Sequence, residues 1–202
     1  MTFCGNYAAA RALSNELVAL ADEKGASFWL AQATSYRSCL LALTGEAADH
    51  VHMITSALSA YRSTGATVFM PWYLSTLAGA YAERGQFDDA WRCIREALIT
   101  VETTKERWFE AEVHRIASEI ALKSAQSDKA ERDFERALSV TRQQQAKSWE
   151  LRAAMSMARL WRDQGKVREA RELLAPVYGW FTEGFDTRDL KAAKALLDEL
   201  VV

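Results

Sequence analysis

The chain has 202 residues, and its 25 basic side chains nearly balance its 27 acidic ones. This balance excludes a global attraction to nucleic acid or anionic lipid, so we expect neither as a partner. No apolar run approaches the roughly 20 residues of a membrane span. Only two prolines and nine glycines interrupt a sequence rich in Ala, Leu, Glu and Arg, which favours a mostly helical protein.

Apolar residues recur at steps of three and four along the chain, which predicts ten helices. The links between them are short and none is of low complexity, so we expect one domain over residues 1–202. The predicted helices cover 7–22, 28–43, 46–62, 70–84, 87–103, 108–123, 128–144, 148–163, 167–181 and 187–200.

An internal repeat with a period of 40 residues runs through nearly the whole chain. Two columns of mostly small or apolar residues define its register. The first holds Ala10, His50, Ala90, Ala130 and Ala170, and the second holds Leu17, Ala57, Ala97, Ala137 and Val177. A turn column five residues before the first holds Gly45, Gly85, Ala125 and Gly165, and a loop column eight residues after the second holds Gly25, Gly65, Lys105, Gln145 and Phe185.

Each repeat is predicted to be a helix, a tight turn and an antiparallel helix. Small residues such as Ala78, Ala90 and Ala97 permit close approach of the two helices. The next unit must then cover the apolar face that remains, as in a solenoid. The sequence therefore predicts an all-α, right-handed α-solenoid of antiparallel helix pairs, at about 28–62, 70–103, 108–144 and 148–181, with flanking helices 7–22 and 187–200.

The repeat resembles the tetratricopeptide repeat. The best unit has the spacing of that family in Leu74, Leu77, Ala78, Tyr81, Gly85, Ala90, Ile94 and Ala97, and a later unit repeats it with Met157, Ala158, Trp161, Gly165, Ala170 and Leu174. The 40-residue period exceeds the usual 34 residues of the family. Longer helices, by about one turn, are therefore expected. Longer repeats of this kind also resemble the sensor arrays of large bacterial regulators, including maltose-activator-type transcription factors.

Several segments also resemble the C-terminal repeat region of bacterial signalling proteins. The most specific is 145–200, and AYAERGQFDDAWRCIREAL also contributes. In those proteins an adenylate or guanylate cyclase domain, or a winged-helix domain, precedes an AAA-type ATPase module and the repeats. The resemblance implies a regulatory or interaction module, without the catalytic and nucleotide-binding modules of those proteins. The three scattered cysteines, too few for a disulfide framework, predict a reducing cytoplasm as the setting.

In tetratricopeptide arrays the first helix of each pair lines a concave surface on which peptides bind. By this resemblance, eight positions are predicted to contact a partner: Trp72, Glu112, Arg115, Glu119, Arg152, Met155, Arg159 and Arg162. The arginines could form a basic patch, because their forked donors suit carboxylates and phosphates. The alternative is a solvated face on which Glu112, Glu119, Glu150 and Asp163 pair with these arginines.

Trp29, Trp72, Trp108 and Trp149 all fall near the start of a first helix. They are interpreted chiefly as seals between units, and alternatively as the aromatic lining of a groove.

Residues that could support catalysis are few. His50 and His52 diverge on one helix and cannot chelate one ion, and His114 has only Glu110 one turn before it. Cys4, Cys39 and Cys93 show no C-x-x-C spacing and are expected to act as small hydrophobic residues. No phosphate-binding loop or nucleophile elbow is present. We therefore expect a non-enzymatic protein without metal or cofactor.

The two ends of the array differ. The last helix has one polar face and suits a terminal cap. The first helix is the second member of a pair whose partner is missing, so Tyr7, Leu13, Leu17 and Leu20 should leave apolar surface uncovered. This edge is expected to form a homodimer or to adjoin further chain. The predicted function is a protein-interaction scaffold, and the alternative is an array that senses a small-molecule effector.

Overall fold

The computed structural model describes residues 5–45 and 49–201, which form ten α-helices and no strand. The chain is therefore all-α. The helices are α1 (Tyr7–Glu23), α2 (Ser27–Thr44), α3 (His50–Ser63), α4 (Met70–Glu83), α5 (Phe87–Thr104), α6 (Glu110–Lys123), α7 (Ser127–Gln143), α8 (Lys147–Asp163), α9 (Val167–Tyr178) and α10 (Arg188–Glu199). In these ranges no helix is long and apolar enough to cross a bilayer.

Most predicted helix ends are correct to within two residues, and two differ for local reasons. Helix α9 ends at Tyr178 instead of 181, and the next residue is Gly179, which has a low helix propensity. Helix α3 begins at His50, where the Asp49 carboxylate accepts the backbone N–H of His52 at 3.3 Å. The predicted start of this helix, 46–48, lies outside the described residues.

The helix junctions have a left-handed backbone at intervals of 20 residues, half the repeat period. The residues concerned are Gly25, Gly45, Gly65, Gly85, Lys105, Ala125, Gln145 and Gly165. Glycine adopts this conformation without steric cost, whereas at Lys105, Ala125 and Gln145 a Cβ makes it strained. Both predicted turn columns therefore mark the backbone turns, except that Gly184 has the positive φ next to the predicted Phe185.

The same pair of hydrogen bonds closes the turns at Gly25, Gly85, Ala125, Gln145 and Gly165. At the α4–α5 junction the N–H of Gly85 donates to the Ala82 carbonyl at 3.1 Å, and the N–H of Gln86 donates to the Tyr81 carbonyl at 3.0 Å. This Schellman arrangement satisfies carbonyls that the helix end leaves without an intrahelical partner. It also turns the chain back at once, because α5 begins at Phe87.

The chain divides into two compact units, Met1–Phe109 and Glu110–Val202. In the first unit, α2 packs against α1, α3 and α4, and α4 also packs against α5. In the second, α8 packs against α6, α7, α9 and α10. The prediction that 1–202 is one domain stays a prediction.

Both units bury the small-residue columns on which the repeat depends. Ala90, Ala130 and Ala170 are fully buried, as are Ala97 and Ala137. Larger side chains complete each core: Ile54, Leu58, Tyr61, Tyr73 and Leu74 in the first unit, and Phe134, Leu151, Met157, Leu174 and Leu200 in the second. Close helix packing through alanine, with large residues beside it, is what the repeat pattern predicts.

The four tryptophans do not share one environment. Trp72 is only 3% exposed and packs edge-on against Tyr36 of α2, the first helix of the preceding pair. Trp29 is 52% exposed and packs edge-on against the Phe28 ring, so for it the sealing interpretation stays a prediction. Trp108 is half-buried, contacts the ring of Phe69 and donates its indole N–H to Glu106 at 2.6 Å. Trp149 is also half-buried.

Candidate functional site

Three first helices, α6, α8 and α10, lie side by side in the second unit, with α8 in the middle. We call their shared surface the α6/α8/α10 face. Residues 40 apart occupy equivalent positions on neighbouring helices, so Glu112 of α6 corresponds to Arg152 of α8. Six of the eight predicted contact residues lie on α6 and α8 with a polar or charged side chain, and most of them pair with one another.

Glu112 is the centre of this pairing although it is only 2% exposed. One of its carboxylate oxygens accepts a hydrogen bond from Nε of Arg115 at 2.8 Å, and the other accepts one from a terminal nitrogen of Arg115 at 3.1 Å. A terminal nitrogen of Arg152 lies 3.3 Å from the same second oxygen. Two guanidinium groups therefore compensate one buried carboxylate, as a buried charge requires.

Arg115 is held by the same cluster. Its side chain is nearly buried and also donates to the Glu119 carboxylate one turn later. A weaker contact joins it to the Ser156 hydroxyl of α8 at 3.5 Å. Arg115 is therefore a structural cation that joins two helices, and no free donor fork is left for a partner.

Arg152 spans all three helices of the face. Besides Glu112 of α6, it lies 3.8 Å from the Asp189 carboxylate of α10. Its guanidinium also stands 5.3 Å from the centre of the Trp149 ring, within cation–π range. Asp189 was missed by the sequence reasoning, although it follows Trp149 by one 40-residue period.

Arg162 at the far end of α8 is paired as well. It contacts Asp163 at 3.0 Å and also the Glu199 carboxylate of α10. Four acidic residues are predicted to pair with the arginines if the face is solvated, and three of them, Glu112, Glu119 and Asp163, do so. Glu150 instead contacts Arg142 at 3.1 Å and Lys147 at 2.7 Å.

Burial separates the remaining predicted contact residues. Outward-facing side chains are predicted at Trp72, Glu112 and Met155, whereas the structure buries all three. Helix α4 is buried on nearly every side, which explains Trp72, and α8 is enclosed by four helices, which explains Met155. Arg159 is exposed and makes no ion pair with any residue that the structure describes.

The electrostatics of the face follow from this pairing. Burial alone raises the pKa of Glu112, but the charges of Arg115 and Arg152 and the hydrogen bonds from Arg115 outweigh it, so the pKa lies below its ordinary value. Burial tends to lower the pKa of Arg115, but Glu112 and Glu119 raise it above its usual range. At His114, which also lies on α6, burial and the charge of Arg136 lower the pKa to about 4.

The candidate nucleophiles are buried. Burial raises the pKa of the Cys39 thiol to about 12 and that of the Cys93 thiol to about 11. Both thiols are therefore protonated and poorly nucleophilic near neutral pH. Cys4 lies outside the described residues. Within the described ranges, His, Cys, Asp and Glu side chains form no cluster able to hold a metal ion.

A second feature, which the sequence reasoning missed, is an open groove of ≈ 530 Å³ in the first unit. Helices α1, α2 and α3 line it, and Arg11, Arg37 and His52 contribute one basic side chain from each helix. The repeat register offered a signal: Arg37 falls in a column that otherwise holds Leu77, Ala117 and Met157, all buried.

Comparisons with known proteins agree with the repeat architecture. No protein-family model and no curated protein matches the chain. Among solved structures, the chain is similar to a single-substitution variant of a protein from Podosopora anserina, described as a candidate kinesin light chain with nearly identical TPR-like repeats. The identity is 17%, the TM-score is 0.59, and the match covers 87% of this chain and 86% of the other.

A second structure of the same description, without that substitution, has 15% identity and a TM-score of 0.56, over 96% of this chain and 89% of the other. At these identities the similarity concerns the fold. The chain is thus a helical-repeat protein with a TPR-like α-solenoid fold.

Proposed function

We propose that the protein is a non-catalytic interaction scaffold that binds a peptide or partner domain through the exposed surface of α8. The observation that carries this proposal is the contrast between Arg159 and its neighbours. Arg115, Arg152 and Arg162 are engaged by carboxylates of the protein itself, whereas Arg159 is exposed and unpaired within the described part of the chain. An exposed guanidinium on a well-packed helix is a ready contact for a carboxylate.

The surroundings of Arg159 support a rigid contact surface. Nine residues of α8 are buried, from Glu150 to Leu160. The ion pairs of Arg152 and Arg162 tie the helix to α6 and α10. A contact residue on such a support loses little conformational freedom on binding, which favours affinity. The half-buried Trp149 ring, stacked on Arg152, adds aromatic surface on the same helix.

More specifically, we propose that the scaffold has a regulatory role in bacterial signalling. It rests on the resemblance of residues 145–200 to the repeat regions of cyclase- and ATPase-containing signalling proteins. The buried thiols and the carboxylate-paired arginines support a binding rather than a catalytic role. The experiment is a pull-down from cell extract with the wild type and with Arg159→Glu, in which the scaffold function predicts a partner that only the wild type retains.

The N-terminal edge supports a second contact, between two copies of the chain. Leu13, Leu17 and Leu20 are 53%, 39% and 50% exposed and lie one turn apart on α1. They form an apolar stripe on a helix that packs on α2 through Ala10, Ser14 and Ala21. Pairing of two such stripes would remove them from water.

A further inference from the structure

We propose that the groove lined by α1, α2 and α3 binds an acidic segment of a partner protein. We call it the α1–α3 groove. It lies in the first unit, so this inference goes beyond the scaffold surface on α8 and stands independently of it. Three observations carry it: the charge of the lining, the position of Arg37 in the repeat, and the dimensions of the groove.

Among the residues that the structure describes, the lining is basic. Arg11 comes from α1, Arg37 from α2 and His52 from α3, and no Asp or Glu within 5–45 or 49–201 lines the groove. The α6/α8/α10 face is different, because there three carboxylates surround Arg115 and Arg152. The acid nearest along α3, Asp49, is occupied by the His52 backbone N–H and by Arg84 at 2.9 Å.

Arg37 departs from the rule that the repeat otherwise follows. Its equivalents at 40-residue intervals, Leu77, Ala117 and Met157, are all buried apolar residues. Arg37 is half-buried and has no ion pair among the described residues. A partly buried, uncompensated cation costs stability. Departures from a structural pattern without local compensation are expected at functional sites, and here the departure places a forked cationic donor in a groove.

The other lining residues suit a short peptide. Asn15 of α1 and Ser56 of α3 offer polar hydrogen-bonding groups, and Leu41, Met53 and Ala57 offer apolar contact. An acidic residue next to an apolar one would satisfy both parts of this lining. Its carboxylate would accept hydrogen bonds from the guanidinium groups of the lining, and its apolar side chain would be buried against the apolar lining residues.

The dimensions favour an extended peptide over an enclosed small molecule. The lining residues on α3 run from His52 to Ala60, which is a length of about 12 Å at the helical rise of 1.5 Å per residue. About three to four extended residues fit this length. The groove is open to solvent along one side, whereas sites for small molecules bury most of the ligand surface.

The test is fluorescence anisotropy at low ionic strength with a labelled, end-capped pentapeptide of alternating Glu and Leu. We expect saturable binding by the wild type, and binding about tenfold weaker when Gln replaces each Glu. Arg37→Gln should weaken binding of the acidic peptide by a similar factor. Arg95→Gln, which removes an exposed cation from α5 in the same unit, is the matched control and should leave binding unchanged.

Two further arms keep the result decisive. Ser56→Tyr changes no charge at an exposed position and should block the groove, so it replaces Arg37→Gln if circular dichroism shows that variant to be misfolded. Succinate should displace the peptide only weakly. Equal binding of the Glu and Gln peptides, full binding by both groove variants, or displacement by succinate as effective as by unlabelled peptide would overturn the proposal. None of these outcomes depends on Arg159 or on the α8 surface.

Discussion

Glu112 and Arg152 occupy equivalent positions in successive repeats, and a guanidinium nitrogen of Arg152 lies 3.3 Å from a Glu112 carboxylate oxygen. The repeat thus places opposite charges at equivalent positions of two neighbouring helices, and the ion pair between them joins α6 to α8. The arginines of α8 therefore do not form the basic patch that the sequence suggests, because carboxylates of the protein itself balance the charges of Arg152 and Arg162.

Substitution of Glu112 should be strongly destabilising. In Glu112→Gln, Arg115 loses its bidentate partner in a nearly buried site, and breaking a buried ion pair typically costs about 3–5 kcal/mol. Urea unfolding followed by circular dichroism measures the loss. Glu119→Gln is the control, since its carboxylate is half-exposed and a change within about 1 kcal/mol is expected. Equal losses in the two variants would contradict the central place of Glu112.

His114 should make stability depend on pH below neutrality. Its pKa is lowered to about 4 in the folded protein, from about 6.5 for a free side chain. Between these values the unfolded chain binds a proton that the folded protein does not, so stability falls as pH decreases from about 6.5 to about 4. His114→Gln should flatten this part of the profile, which urea titrations across the range will show. An unchanged slope would contradict the low pKa.

The two described cysteines should be unreactive in the folded protein. Their thiol pKa values of about 12 and about 11 leave almost no thiolate at pH 8, and both side chains are buried. In a Cys4→Ser background, an aromatic disulfide reagent should detect no thiol in the native protein and both Cys39 and Cys93 in denaturant. Rapid native labelling at either cysteine would show that the core opens readily.

The leucine stripe on α1 should govern self-association. If two copies pair through it, sedimentation velocity should show a dimer that dissociates on dilution. Leu13→Glu with Leu17→Glu should give a monomer at all concentrations, because charged side chains cannot be buried there. Ile99→Glu, at a 63% exposed position on α5, is the matched control. A wild type that is monomeric at high concentration would contradict the pairing.

The repeat register made the architecture predictable. Small residues such as Ala90 and Ala130, and turn residues such as Gly85, mark packing and backbone requirements that recur in every unit, so periodicity alone reveals them. Even Ala125 was placed at a turn by its column, although its side chain disfavours the left-handed backbone found there.

The site was less predictable because its contacts depend on which helices are neighbours. Glu112 and Glu119 are predicted partners of the arginines on a solvated face, whereas Asp189 and Glu199 come from another helix. Burial at Trp72 and Met155 likewise depends on helices that enclose α4 and α8. Arg37 was visible as an exception in its column, but its significance emerged only with the groove around it.

The central claim is that the exposed surface of α8 binds a protein partner through Arg159. The most direct measurement is quantitative mass spectrometry of pull-downs with the wild type, Arg159→Glu and Arg95→Glu, the last being an exposed cation on α5. The account predicts one protein that is enriched with the wild type and with Arg95→Glu and is lost with Arg159→Glu, while all three baits keep the same urea midpoint. Equal recovery of every protein by wild type and Arg159→Glu would contradict it.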